Sequence, residues 1–385
     1  KIEFLGMLWN STSLYNYALA FSFLVVALMS PMLSGIADYA GNKKKFLKGF
    51  CLLGSISVMC LFFFTGKDTL WVGILFTILA SIGFWGSIVF YNAYLPEVAR
   101  PEQQDKVSAK GFILGYSGSI LLLLICLVLI ETEVFGFYDK QFGSQLSFVL
   151  VGLWWLGFAQ ITYKKLPDTE KVTLPKDNYF LKGIKEFKKV AKELFAFSEL
   201  KTFLIAFFLL SIGVQTIILM AGIFGTILGL ETANLIATIL LVQFVGIFGA
   251  FLFSRLSAKI GNIKALKITI LIWGLVCFIG FNLTKDTPNI DIYFYVLGAL
   301  IGLVMGAIQS LARSTYSKLL PKTDDTASYF SFFDVTEKIA LVVGMVTFGL
   351  LTSYFTIQTS VLALGVFFLG AFITLSTIKK TKYVQ

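Results

Sequence analysis

The sequence predicts an all-α membrane protein, a bundle of eleven visible transmembrane helices. Three observations predict it. The 385 residues are 57% hydrophobic and only 14% charged, with a mean hydropathy of +0.83, and so few charges cannot cover the surface of a soluble domain. Uncharged apolar runs near the length of a bilayer-spanning helix recur along the whole chain. Inside a bilayer each segment must pair its own backbone groups, which selects helices, and the strand-type alternation of an outer-membrane barrel is missing. Finally, the lysines and arginines behind the net charge of +10 gather in alternate loops, as a topology signal does and a nucleic-acid-binding face does not.

Taken in order, the expected spans are roughly 12–36, 46–66, 69–94, 107–131, 144–163, 199–223, 231–253, 265–283, 291–316, 327–351 and 359–379. Lys43, Lys44, Lys45 and Lys48 follow the first span. Ten lysines lie between Lys164 and Lys201, after the fifth. Arg255, Lys259, Lys264 and Lys267 follow the seventh, Arg313, Lys318 and Lys322 the ninth, and Lys379, Lys380 and Lys382 close the chain. The intervening loops offer only Lys67, Lys140 and Lys285. The positive-inside rule makes the lysine-rich loops cytoplasmic and places the C-terminus inside. Cys51, Cys60, Cys126 and Cys277 all fall within spans, where they pack as small hydrophobes and build neither a disulfide framework nor a metal site.

The loop 164–198 divides the chain into an N-terminal bundle, 1–163, and a C-terminal six-helix bundle, 199–385. Within the loop, Phe180, Ile184, Phe187, Ala191 and Leu194 form one helical stripe, with lysines largely elsewhere. The pattern predicts an amphipathic helix at the cytoplasmic membrane interface. The two halves echo each other. GNKKKFLK at Gly41 matches GNIKALK at Gly261, and YNAYLP at Tyr91 matches YSKLLP at Tyr316, at offsets of 220 and 225 positions. Repeated halves are characteristic of transporters. With five spans before the loop and six after, the register expects one further helix ahead of Lys1, from a six-plus-six parent.

The corner SGIADYAGNKKKF, Ser34 to Phe46, concentrates polarity between two oily spans. Its glycines allow close backbone approach. Asp38 can cap a neighbouring helix N-terminus, and Lys43 and Lys44 hold the loop at the cytoplasmic surface. The expected result is a latch that forms and breaks as helices rock. In the second-half counterpart Ala258 stands where the aspartate would be. The pattern Gly35-x-x-Asp38-x-x-Gly41-x-Lys43-Lys44 resembles the signature loop of the major facilitator superfamily. With FYNAYLPEVA, GVQTIILMAGIFG and FFDVTEKIALVVG it resembles the vacuole-effluxer-like branch, which includes fungal vacuolar amino-acid effluxers and bacterial relatives, and this chain is similar to a bacterial member. Members often carry polar residues just before the Gly-Val-Gln-Thr segment, where this chain has Ser211-Ile212. The resemblance implies a secondary transporter of a small organic solute, an amino acid or related metabolite moved outward, in the bacterial inner membrane.

Charged residues inside a span each need a reason, because burying one near the bilayer centre costs about 2.5–3.5 kcal/mol or more. Asp334, Glu337 and Lys338 lie two to three turns into the tenth span. Asp334 and Lys338 can pair at i,i+4, as a locked ion pair, a gate or a proton-responsive site. Arg313, with Gln309 one turn above it, could bridge to Asp334 or Glu337 and close the cytoplasmic side. Gln215, Thr216 and Gln243 can bond a solute or glue helices together, and Tyr91 and Asn92 sit near the inner end of the third span. Glu97, Arg100, Glu102, Asp105 and Lys106 read as a solvated mixed-charge loop. Glycine strings such as LGALIGLVMGAIQS read as helix-packing surfaces.

No phosphate-binding loop, zinc motif or serine-triad elbow is present in the sequence, so no cofactor, metal or enzymatic activity is expected. The expected partners are a small-molecule solute, a proton that would ride on Asp334 or Glu337, and the lipid bilayer, with no nucleic acid and a monomeric state. The alternatives are a transporter-derived solute sensor or assembly partner that binds without translocating, and a membrane-embedded transferase, which the short outer loops disfavour.

Overall fold

The computed structural model describes residues 2–4, 6–9, 11–131, 139–167 and 179–378. The closing lysines Lys379, Lys380 and Lys382, and residues 168–178 of the central loop, lie outside them. A two-stranded antiparallel hairpin opens the chain, β1 (Ile2–Phe4) against β2 (Met7–Trp9). It is a short element that the apolar-run reading did not anticipate. Fourteen helices follow among the described residues: α1 (Ser11–Ala40), α2 (Lys43–Cys60), α3 (Leu70–Ala93), α4 (Leu95–Val98), α5 (Pro101–Glu131), α6 (Lys140–Lys165), α7 (Tyr179–Ala196), α8 (Ser198–Ile227), α9 (Thr232–Ile260), α10 (Asn262–Asn282), α11 (Ile290–Leu319), α12 (Thr326–Tyr354), α13 (Ile357–Ala363) and α14 (Gly365–Ser376). Among the described residues, eleven segments are long and apolar enough to cross a membrane, the last of them made of α13 and α14 together. Large apolar side chains such as Leu114, Val366 and Leu28 stay exposed, as a lipid-facing surface allows.

Packing divides the chain into two compact units. The first comprises Lys1–Tyr94, Leu121–Ala191 and Asp324–Asp334; the second comprises Leu95–Ile120, Lys192–Thr323 and Val335–Gln385. In the first unit, α3 packs on α1 and α2, and α2 also packs on α6. The α2–α3 approach is backbone to backbone, because a Cβ on Gly83 would collide with the Cα of Gly54. Phe90 seals the same interface, stacked 5.4 Å from Phe46 and 5.9 Å from Phe50. Part of the apolar face of α7 is covered by protein: Phe187 stacks on Phe332 at 4.7 Å, and Val190 is fully buried.

In the second unit, the glycine string of α11 does what its spacing predicts. Gly298, Gly302 and Gly306 recur every four residues on one face, and that face lies on α9. A Cβ on Gly302 would strike the Val242 carbonyl, and one on Gly306 the Gly246 carbonyl. Small residues at this spacing let two backbones touch where no hydrophobic effect would otherwise press them together. Elsewhere in the unit, the buried Trp273 of α10 stacks 5.6 Å from Phe368 of α14, and Phe368 fills the space that Gly213 of α8 leaves open.

Candidate functional site

The corner between α1 and α2 is a helix cap built in three dimensions. Gly41 sits at φ 59, a left-handed turn that suits glycine. Its N–H and that of Asn42 return to the carbonyls of Asp38 and Ala37. The turn leaves the Asp38 carboxylate facing the first turn of α12. Oδ1 accepts from the Ala327 N–H at 3.1 Å and Oδ2 from the Ser328 N–H at 2.7 Å. Those amides have no partner inside their own helix and carry its partial positive charge. Lys43, buried, donates to Thr326 Oγ1 at 2.8 Å and lies 5.9 Å from the Tyr94 ring centre. Lys44 donates to the Leu166 carbonyl at the end of α6, and Gly35 is buried one turn before Asp38. From α7, Lys189 reaches Asp325, just ahead of α12, at 3.2 Å.

The second-half counterpart is built from different parts. Gly261 also has positive φ, 90, between α9 and α10. The carboxylate missing at Ala258 is supplied by Asp105 of α5. Asp105 Oδ1 accepts from Asn262 at 2.8 Å; Oδ2 accepts from Ser257 at 3.0 Å and from Lys318 at 2.7 Å. Asn262 also donates to Thr315 and accepts from Lys318, each at 3.0 Å. Asp105 and Lys318 are nearly closed to solvent, with side chains 7% and 5% exposed. This corrects the reading of Asp105 as part of a solvated loop. The residue looked surface-bound because it sits beside Glu102 and Lys106, but the first turns of α5 bury one side and expose the other.

Arg313 of α11 turns to α5. Its Nε donates to Ser108 Oγ at 3.0 Å, its Nη2 donates to the Ser108 carbonyl at 2.9 Å, and its guanidinium lies 4.6 Å from the Phe112 ring centre. One turn away, Gln309 accepts from the Tyr116 hydroxyl at 2.6 Å. Gln215 of α8 donates to Glu337 Oε1 at 2.7 Å, and Lys338 lies 3.5 Å from Glu337 Oε2. Glu337 is therefore bracketed by an amide and an ammonium within the second unit. It stays 22% exposed, while Lys338 is buried. Asp334 is buried as well and belongs to the first unit.

Thr216 spends its hydroxyl on the Ile212 carbonyl and sits against Gly344, an arrangement that packs α8 on α12. Gln243 lines a cavity of about 290 Å³ with Ile217, Thr238, Val276, Met305 and Phe348, so its surroundings are largely apolar. Asn92 is buried and Tyr91 half-exposed at the end of α3. No cluster of metal-binding side chains occurs among the described residues.

These segments carry a family signature. The model of the family described as vacuole effluxer Atg22 like matches residues 1–382. The chain belongs to this Atg22-like family. It is 30% identical over 338 residues to the MFS-type transporter YxiO of Bacillus subtilis, covering 87% of this chain and 77% of that protein. It is 26% identical to autophagy-related protein 22 of Coccidioides immitis, covering 91% and 69%. Among solved structures it resembles the proton:xylose symporter XylE, with a TM-score of 0.72 at 15% identity over 98% of this chain and 89% of that one. It also resembles the Escherichia coli fucose:proton symporter FucP, with a TM-score of 0.65 at 15% identity over 96% and 97%. The fold of this Atg22-like chain is thus the major facilitator fold. It is a multi-pass integral membrane protein, and its family and fold are those of transporters, not of enzymes.

Proposed function

We propose that this Atg22-like chain is a secondary transporter that carries a small zwitterionic solute, an amino acid or close relative, by alternating access. The observation that carries the proposal is the Gln215–Glu337–Lys338 group. A carboxylate and an ammonium on adjacent residues of a membrane span are costly to keep there unless they serve transport or lock the helix. Together they offer a positive partner for a solute carboxylate and a negative one for its amino group, with Gln215 holding Glu337 in place. Glu337 and Asp334 are the groups on which a coupled proton would ride. The proton symporters among the structural neighbours support that coupling by analogy of fold alone.

In this proposal, residues 1–163 and 199–385 rock about the linker 164–198. The Asp38 cap and the Asp105 cluster act as inner-side latches, and Arg313 meets Asp334 when the cytoplasmic side is shut. The lysine-rich loops face the cytoplasm of a bacterial cell, and transport runs outward. Proteoliposomes loaded with one amino acid at a time, assayed for counterflow and for uptake with and without a pH gradient, test the reading. Expected is counterflow of at least one amino acid, lost in Glu337→Gln or Lys338→Met. Absence of counterflow for every solute that thermally stabilises the protein would leave the sensor reading in its place.

A further inference from the structure

We infer that a cavity at the lysine-rich ends of α5 and α9 binds the phosphate head group of an anionic phospholipid. This goes beyond the transport reading and shares with it only the sidedness of the lysine-rich loops. The cavity, of about 500 Å³, lies within the second unit, walled by the first turns of α5, the last turns of α9 and Lys318. Lys106, Lys110 and Arg255 border it, all exposed. Lys106 and Lys110 are four residues apart, so they share one helical face. No ion pair neutralises these three cations among the described residues. Asp105 and Lys318 cancel each other at 2.7 Å, which leaves Glu102 as the acid to set against three bases.

Arg255 is also oriented. Its guanidinium lies 4.0 Å from the Phe251 ring centre, an attraction that holds the plane in place while its N–H edge stays free for phosphate oxygens. One turn deeper, the same two helices carry apolar side chains open to the surroundings: Phe248 is 53% exposed and Leu114 is 71% exposed. A cationic rim above an exposed apolar wall fits a molecule with a phosphate at one end and an acyl chain at the other. Free inorganic phosphate would use the rim and leave the wall idle. Basic pockets between helices at the cytoplasmic side favour anionic head groups by about fivefold for each basic residue near the surface.

The test is native mass spectrometry of the full chain in detergent, titrated separately with phosphatidylglycerol and phosphatidylcholine, and with inorganic phosphate as competitor. The expected result, for three bases less one acid at about fivefold each, is phosphatidylglycerol adducts at roughly 25-fold lower lipid concentration than phosphatidylcholine adducts. That preference should disappear in Lys106→Gln/Lys110→Gln/Arg255→Gln and persist in the control Lys67→Gln/Lys140→Gln/Lys285→Gln, exposed lysines of the intervening loops. Equal binding of the two lipids, an unaffected triple variant, or an equal loss in the control would overturn the inference. Displacement of phosphatidylglycerol by equimolar inorganic phosphate would replace the lipid with a free anion. Detergent binding depends on neither transport nor sidedness, so failure here leaves the transport reading standing and the reverse also holds.

Discussion

Replacing Asp105 with asparagine keeps the shape of the side chain and removes its charge. In the structure that carboxylate receives three donors, from Asn262, Ser257 and Lys318. Its ion pair with Lys318 is short, at 2.7 Å, and both side chains are almost fully enclosed. Solvent therefore screens the pair little, unlike an exposed pair. Removing one partner of a buried pair costs about 3–5 kcal/mol, mostly because the remaining charge is stranded. Lys318 would keep the Asn262 oxygen at 3.0 Å, so the expected loss for Asp105→Asn lies near the lower end, about 3 kcal/mol. Lys318→Met strands the opposite charge and should cost a similar amount. The double variant strands neither, so its loss should fall short of the sum of the two by about 2 kcal/mol or more. Unfolding in mixed micelles, followed by the fluorescence of the six tryptophans, gives all three values. Additivity within about 0.5 kcal/mol would mean the two residues are not coupled, and the second-half latch would have to be abandoned.

Four further outcomes are expected. Asp38→Ala removes the cap on α12 and should cost about 0.5–2 kcal/mol, with faster maleimide labelling of a cysteine placed at Ala327; unchanged labelling would count against a latch. Gly306→Leu forces a side chain into the Gly246 carbonyl and should lower the unfolding free energy by more than the typical cost of overpacking, about 1–3 kcal/mol, whereas Gly157→Leu, with open space around it, should be nearly neutral. Lys189→Ala breaks a half-exposed pair with Asp325 and should change stability by no more than about 1 kcal/mol, as read from the same unfolding curves. Gln215→Leu should abolish counterflow with little loss of folded protein, and transport at the parent rate would remove Gln215 from the solute site.

Much of the fold was legible in the sequence. The number of membrane spans and the fold class follow from hydropathy, because a bilayer leaves the backbone few choices. That α11 carries a close-packing face was readable from its glycine spacing, though not that α9 would meet it, and the capping role of Asp38 was readable from its place between Gly35 and Gly41. The partner of that cap was not, since Asp38 and Ala327 are far apart in the chain and a backbone amide leaves no trace in composition. Asp105 escaped for a related reason. A carboxylate among surface charges looks solvated until the helix face it occupies is known, and the signal that could have found it was the absence of an aspartate at Ala258. The grip of α7 on α12 was half legible: the apolar stripe was visible, but a stripe meant for lipid and one meant for Phe332 read alike.

The two glycine corners show why matching turns need not carry matching chemistry. At Gly41 the carboxylate belongs to the corner, and its targets are backbone amides that any residue other than proline would present. At Gly261 the carboxylate comes from α5, and its targets are the side chains of Ser257, Asn262 and Lys318. The first arrangement should therefore tolerate change on the receiving side and none at Asp38; the second should be sensitive at every member. Ala327→Ser and Ser328→Ala, small enough for these fully buried positions, are expected to leave transport near the parent rate, since the amides remain. Substituting Asn262 by alanine leaves Asp105 Oδ1 without its donor, at a cost of about 1–3 kcal/mol, whereas Ser257→Ala leaves Oδ2 its bond from Lys318 and should cost about 1 kcal/mol. Restoring an aspartate at position 258 discriminates further: with Asp105 already buried beside Lys318, a second carboxylate nearby should destabilise the unit through like-charge repulsion. Combined with Asp105→Asn it should restore stability, because Ala258→Asp would then supply the missing charge from the corner itself. If Ala258→Asp is harmless alone and gives no rescue in the pair, the two corners are unrelated solutions and the correspondence between the halves does not extend to their electrostatics.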